Sequence, residues 1–224
     1  MFETIMLHEL PQKNCGILRE PSNTRPALWV VDEEGIRAVV KDYSVNGFMF
    51  RNTIGRFLVW RETKAYRKLK GMSGIPGFHR VVDGLALIID ELPGKNMEGL
   101  EGKEKLPPRF FLELRNLIAN IHRRGLAHCD LKRAPNIIVG NDGKPCIIDW
   151  SAALSKQEFG LFPLNLIYQR FLQDDYNAVL KVQLRHCPES VSPEEKKRYD
   201  QRSAFEKMIR KIRDNLRVLL QRIT

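Results

Sequence analysis

The 224-residue chain is 43% hydrophobic and 29% charged, the mix of a folded protein of one domain or two small lobes. That excludes collagen-like, low-complexity and mostly disordered chains. With 37 Lys and Arg against 27 Asp and Glu, its net charge of +10 attracts anions without choosing among nucleic acid, acidic lipid and phosphorylated compounds.

The first third reads as strands. Residues 27–31 (ALWVV) form an apolar run, Asp32-Glu33-Glu34-Gly35 a polar turn, and residues 36–41 (IRAVVK) a β-branched stretch. Together they predict a hairpin. Residues 60–70 are rich in helix formers, with Trp60, Ala65 and Leu69 on one face, which predicts a helix. Residues 81–90 predict a second hairpin around Asp83-Gly84, and Leu92-Pro93-Gly94 ends it. Residues 95–108 are polar and bear Gly and Pro, which suits a connection between lobes at 1–92 and 93–224. Phe110, Phe111, Leu114, Leu117, Ile118 and Ile121 recur at helical spacing and predict a buried helix. Two short strands are expected within 137–149, around Asn141-Asp142-Gly143. The remainder reads as mainly helical. Its last helix, over 205–223, sets an apolar stripe against Lys207, Arg210, Lys211, Arg213 and Arg217. That basic face fits a solvated surface, an anionic membrane or glycolipid surface, or RNA. Strands with one helix, then a helical half, predict an α+β fold in two lobes.

The four cysteines, Cys15, Cys129, Cys146 and Cys187, have neither CxxC nor zinc spacing, so reduced thiols in a cytoplasmic protein are expected. The N-terminus lacks the basic and apolar regions of a signal peptide, and no apolar run reaches the ~18 residues of a membrane span.

Residues 128–136 read HCDLKRAPN and residues 147–151 read IIDWS. Two Asp, one Asn and one Lys thus fall on loops flanking short strands, after a buried helix. Phosphoryl transfer uses this inventory: carboxylate and amide oxygens hold Mg²⁺, a carboxylate accepts the hydroxyl proton, and a Lys offsets phosphate charge. Upstream, Lys41 ends a strand and Glu62 lies on the following helix, so an ion pair between them would hold the lysine toward phosphates.

In its order this set resembles the protein-kinase-like superfamily, and is most similar to the small bacterial branch of lipopolysaccharide core kinases and Rio-type kinases. The resemblance runs from about residue 25 to about residue 155. It implies a two-lobed kinase-like fold: a strand-rich N-lobe with one helix, and a compact helical C-lobe. It implies that Lys41 contacts nucleotide phosphates with Glu62 as its partner, and that Asp130 acts on the acceptor hydroxyl. Lys132 would meet the γ-phosphate, and Asn136 and Asp149 would bind metal. The backbone of Asp90, Glu91 and Leu92 would meet adenine, and His128 would hold the loop. Several features depart from the family pattern. Asp130 and Asn136 are six positions apart rather than five, and Cys129 replaces the usual Arg or Gly. DWS stands for DFG, Pro21-Ser22-Asn23-Thr24-Arg25-Pro26 replaces a glycine-rich loop, and no APE-like segment follows.

The resemblance implies an ATP- and Mg-dependent phosphotransferase. Its expected acceptor is a lipopolysaccharide core sugar, at the inner face of the cytoplasmic membrane and with peripheral membrane contact. A Rio-like Ser/Thr protein kinase, a small-molecule phosphotransferase and a non-catalytic pseudokinase are the alternatives. A nucleic-acid partner is not expected, because a purely RNA-binding protein leaves the set from Lys41 to Asp149 unexplained.

Overall fold

The computed structural model describes residues 2–100, 104–132 and 134–200. The basic helix expected over 205–223 lies outside the described residues. A 3-10 turn at Leu7–Glu9 leads into α1 (Leu10–Lys13) and then the strands β1 (Gly16–Arg19), β2 (Ala27–Glu33) and β3 (Ile36–Asp42). The hairpin of β2 and β3 pairs from Ala27↔Asp42 to Glu33↔Ile36. Its two-residue turn puts Glu34 (φ 56°) and Gly35 (φ 81°) in the left-handed region, as the strand twist of a tight hairpin requires. The Gly35 N–H donates to Asp32 Oδ1 at 2.9 Å.

The helix expected from residue 60 starts earlier. Short α2 (Phe48–Phe50), a π-helical turn at Arg51–Gly55 and α3 (Arg56–Lys68) follow without a break. Val59, Glu62, Thr63, Ala65 and Tyr66 face inward. Of the three residues expected to share a face, Ala65 and Leu69 are buried and Trp60 is half exposed. At about 100° per residue Trp60 lies roughly 60° around the helix from Thr63 and roughly 120° from Tyr66, outside the buried sector, and Lys64 covers its ring. Strands β4 (Phe78–Val82) and β5 (Ala86–Asp90) form the second hairpin, again with a left-handed turn, at Asp83 and Gly84. The five strands form one antiparallel sheet in the order β1-β2-β3-β5-β4.

Alternation along the strands gives the sheet two buried faces. Leu87 and Ile89 pack with Val39 and Val81 on the α3 side. Trp29, Val31, Ala38, Val40, Ala86 and Ile88 face the other way, where Phe2 and Leu10 cover them.

The stretch expected to be a polar connection carries regular structure among its described residues. It forms β6 (Gly94–Asn96) and α4 (Met97–Leu100), and buries Met97, Leu100 and Leu106. Then come α5 (Pro108–Arg123), β7 (Leu126–Ala127), a 3-10 turn at Ala134–Asn136, β8 (Ile137–Gly140) and β9 (Pro145–Ile147). A 3-10 turn at Trp150–Ala152, β10 (Leu154–Ser155), α6 (Leu164–His186), a 3-10 turn at Pro188–Ser190 and α7 (Pro193–Asp200) complete the described chain. All six apolar residues predicted for the buried helix are buried on α5. Strands β6, β8 and β9 form a small antiparallel sheet, and β7 pairs with β10. One apolar cluster joins Tyr66, Leu69 and Leu87 to Phe110, Ile118, Trp150 and Val179. The architecture is mixed α+β, with one core running from the sheet into the helical half and a second, smaller one under Phe2 and Leu10 on the other face of the sheet.

Candidate functional site

Strand alternation turns Lys41 of β3 toward α3, on the same side as Val39. There it is buried, and the buried Glu62 of α3 meets it: Lys41 Nζ lies 2.7 Å from Glu62 Oε2. It also lies 2.7 Å from Asp149 Oδ1, on the loop after β9. The Trp150 N–H donates to the other Glu62 oxygen at 3.3 Å, and the Ser151 hydroxyl donates to Asp149 Oδ1 at 2.8 Å. One ammonium thus stands between two carboxylates.

Electrostatics follow from this placement. Burial works against the Lys41 ammonium, but Asp149 and Glu62 outweigh it and raise its pKa well above the usual value. Burial also works against the Asp149 carboxylate, and Lys41 outweighs it, holding that carboxyl well below the usual range. Burial of Glu62 is offset only in part by Lys41, so its pKa is raised. Lys41 and Asp149 therefore carry full opposite charges at neutral pH, in surroundings of low dielectric.

The loop 128–136 is fixed mainly through its backbone. Asp175, buried on α6, accepts the His128 N–H at 2.8 Å and the Cys129 N–H at 2.9 Å. His122 Nε2 lies 3.0 Å from the same carboxylate. The Asp130 N–H donates to His128 Nδ1 at 3.3 Å, which leaves the imidazole proton on Nε2, 3.0 Å from the Ile148 carbonyl. His128 is thus a hydrogen-bonded core histidine that ties the two loops together. Cys129 (φ 69°) and Asp149 (φ 64°) both sit in the left-handed region, uncommon for residues other than glycine and a feature that gathers at functional sites. Burial pushes the Cys129 thiol up, so it is no thiolate nucleophile. All four cysteines are unpaired.

A 3-10 turn at Ala134–Asn136 precedes β8. Asn136 Nδ2 donates to the Asp130 carbonyl at 3.0 Å and reaches Asp130 Oδ2 at 3.5 Å. The pairing Ile137↔Ile147 and the bond from the Ile148 N–H to the Asn136 carbonyl (3.0 Å) bring Asn136 beside the Asp149 loop. Lys41, Glu62, Asp149, Asn136 and Asp130 are therefore gathered in one region. Lys132 Nζ pairs with Asp174 Oδ2 at 3.3 Å, on α6.

The side chains of the other expected nucleotide-binding residues brace the structure. The Asp90 carboxylate accepts the Gly77 N–H at 2.8 Å and lies 2.8 Å from His79 Nε2. Glu91 pairs with Arg37, and its N–H donates to the Arg37 carbonyl at 3.2 Å. Leu92 follows at the end of β5. In the loop where the family pattern has glycines, Ser22 and Arg25 form an isolated antiparallel bridge. Asn46 holds both of their carbonyls, at 2.6 and 3.0 Å.

Among the described residues, no three His, Cys, Asp or Glu side chains form a metal-holding group. Asp149 and the Asn136 amide oxygen supply two hard donors. That fits Mg²⁺, which is held by one or two protein oxygens and completes its shell with phosphate and water. No protein-family model and no curated protein matches the chain.

Asp175 escaped the sequence reading. It is one of two adjacent acids on a long helix, and only the tertiary contact of α6 with the loop singles it out from Asp174. Its one sequence signal is a carboxylate pair shortly before the apolar run 178–180.

Proposed function

We propose that the protein is an ATP- and Mg-dependent phosphotransferase that moves the γ-phosphate to a hydroxyl. The observation that carries this reading is Lys41, buried and 2.7 Å from carboxylates 21 and 108 positions away in the chain. A buried charge triad of this kind is a weak source of stability. Its usefulness lies in fixing a cation where phosphates can displace one of its partners.

In this reading Lys41 offsets charge on the transferring phosphates, and Glu62 keeps its ammonium in place. Asn136 and Asp149 would hold Mg²⁺, which neutralises phosphate charge when bound. Asp130 orients the acceptor hydroxyl and takes its proton as the new O–P bond forms and the bond to the leaving diphosphate breaks. A placed base of this kind supplies about 10²–10⁴-fold, so positioning and charge carry the rest. Adenine would meet the backbone of residues 90–92. The Glu91 N–H is already engaged, which leaves carbonyls and the Leu92 amide for that contact. For the acceptor, a lipopolysaccharide core sugar at the cytoplasmic membrane rests on the resemblance and agrees with the net charge of +10. A protein Ser or Thr is the second choice. The Lys132–Asp174 pair, which holds that lysine on α6, favours a nucleotide-binding protein without transfer as the second reading.

The test is thermal unfolding with ATP, Mg²⁺ or both, on the wild type and on Asp149→Asn. A ligand at 100 times its Kd adds about 2.7 kcal/mol to stability. The wild type should shift only when both are present, and Asp149→Asn should not shift. No shift in the wild type overturns the reading. A shift without transfer of labelled phosphate to core oligosaccharide or to a protein acceptor selects the non-catalytic reading.

A further inference from the structure

Between Asp42 and Asp83 the sequence carries eight Lys and Arg and a single carboxylate, Glu62, which is buried against Lys41. On the same stretch Met49, Phe57 and Trp60 are 74%, 51% and 54% exposed. Helical spacing sets Phe57, Trp60 and Lys64 on one face of α3, with Arg56 and Arg67 along its edge. Cations cover the rings: Arg61 lies 5.6 Å from the Phe57 centroid and Lys64 5.4 Å from that of Trp60. Arg56, Trp60, Lys64 and Arg67 also line a recess of about 370 Å³ against the β4–β5 hairpin. Thr63 lines it too, and its buried hydroxyl has no hydrogen-bond partner among the described residues. Neither Arg56 nor Arg67 has a carboxylate partner among the described residues: Arg56 donates to the Asp83 carbonyl and Arg67 covers the Phe78 ring.

A second apolar group lies close by. Glu158 pairs with Lys64 at 2.6 Å and with Arg61 at 3.9 Å, which ties its loop to α3. Three and four residues further on, Leu161 and Phe162 are 80% and 78% exposed.

We propose that this face of α3, with the loop at Leu161 and Phe162, seats the protein on an anionic lipid bilayer. The apolar side chains would enter the boundary between headgroups and acyl chains, while the surrounding cations meet lipid phosphates. The recess takes one headgroup phosphate, between Arg56 and Arg67. Charge complementarity selects an acidic surface. The aliphatic members, Met49 and Leu161, favour lipid over nucleic acid, because base stacking uses aromatic rings. No described helix is long and apolar enough to cross a membrane. The proposal does not depend on phosphotransfer.

Trp60 supplies the readout, because Trp29 and Trp150 are buried. The full chain is mixed, without nucleotide, with vesicles of phosphatidylcholine or of phosphatidylcholine and phosphatidylglycerol. Co-sedimentation and tryptophan emission are then measured. Binding is expected only to the phosphatidylglycerol vesicles, falling with salt, with emission shifted to the blue. Phe57→Ser with Leu161→Ser should weaken binding about tenfold or more while keeping the reporter. Arg56→Gln with Arg67→Gln should weaken it by roughly fivefold per charge. Unchanged melting temperatures show that both variants fold. Binding with unchanged emission, or undiminished in both variants, places the membrane contact on another surface and overturns the proposal. So does no binding, or an emission change with single-stranded RNA and none with vesicles.

Discussion

Lys41 is the residue on which the site turns, and its burial makes it testable without any substrate. Removing the cation leaves Glu62 and Asp149 facing each other with no compensation, which costs about 3–5 kcal/mol in buried settings. Lys41→Met should lower the urea-unfolding free energy by that amount. Adding Glu62→Gln should restore about half, since the amide oxygen still accepts the Trp150 N–H. A single-variant loss under about 1 kcal/mol means that the charges are solvated. Acid stability reads the other half of the triad. Asp149 titrates below its ordinary value of 3.8, so the folded state binds fewer protons there than the unfolded chain. Its stabilisation is whole above that value and is lost as pH falls through the lower folded pKa. Glu62, raised above 4.5, has the opposite sign: its cost at neutral pH is relieved on protonation. Asp149→Asn should therefore flatten the acid limb of stability against pH, and Glu62→Gln should steepen it. Urea midpoints from neutral pH downward measure both.

At the scale of elements, α6 places the start of the loop 128–136 through the Asp175 carboxylate, and Lys132 pairs with Asp174 further along. Asp175→Asn turns an acceptor of two backbone N–H groups into a side chain with its own donors. Hydrogen bonds to a charged group contribute about 1.5–3 kcal/mol each, so a loss of at least 2 kcal/mol is expected. Calorimetry measures it, and a smaller loss means that other contacts hold the loop. Glycines give a matched comparison. Gly74 (φ +82°) and Gly143 (φ +76°) both favour the absence of a side chain. A Cβ on Gly74 would lie 2.8 Å from the Pro145 carbonyl and 2.9 Å from Leu117 Cδ2, whereas at Gly143 it meets open space. Gly143→Ala should cost about 1 kcal/mol from backbone strain alone. Gly74→Ala should cost at least twice as much, from crowding beside the bond from the Ile147 N–H to the Gly74 carbonyl. Equal costs, by urea unfolding, show that the turn yields freely. The contrast also explains what the sequence disclosed. The two hairpins were legible because Glu34-Gly35 and Asp83-Gly84 are turn chemistry between apolar runs, and α5 because its six apolar residues keep one phase. Trp60 misled, because helical spacing gives a phase but not which phase faces the sheet. Strand β1 and the buried residues around α4 lacked a local signal, since their order comes from partners distant in sequence. Asp130, Asn136 and Asp149 could be named from motif spacing, but their convergence despite the added residue depends on the β8–β9 register.

At the scale of the molecule, the sheet joins everything, because β5 is buried on both faces. Leu87 and Ile89 belong to the cluster that reaches α5 and α6, while Ala86 and Ile88 belong to the one closed by Phe2 and Leu10. Neither cluster can open fully without stripping β5 of half its partners, and the Lys41–Asp149 pair adds a link from β3 to the loop after β9. The chain should therefore unfold as one unit, although 224 residues is beyond the size at which two-state behaviour is the rule. Trp29 reports on the cluster under Phe2, and Trp150 on the cluster around α5. Two variants that keep one of these tryptophans each, the other two replaced by Phe, should give the same urea midpoint as far-ultraviolet circular dichroism of the same variant, after correction for its stability. If ATP with Mg²⁺ binds as proposed, both midpoints should rise together, because a ligand spanning β3 and the Asp149 loop stabilises the shared unit. A Trp29 transition that precedes Trp150 and ignores nucleotide would instead make the outer face of the sheet an independent layer, so that burial of β5 does not couple the halves.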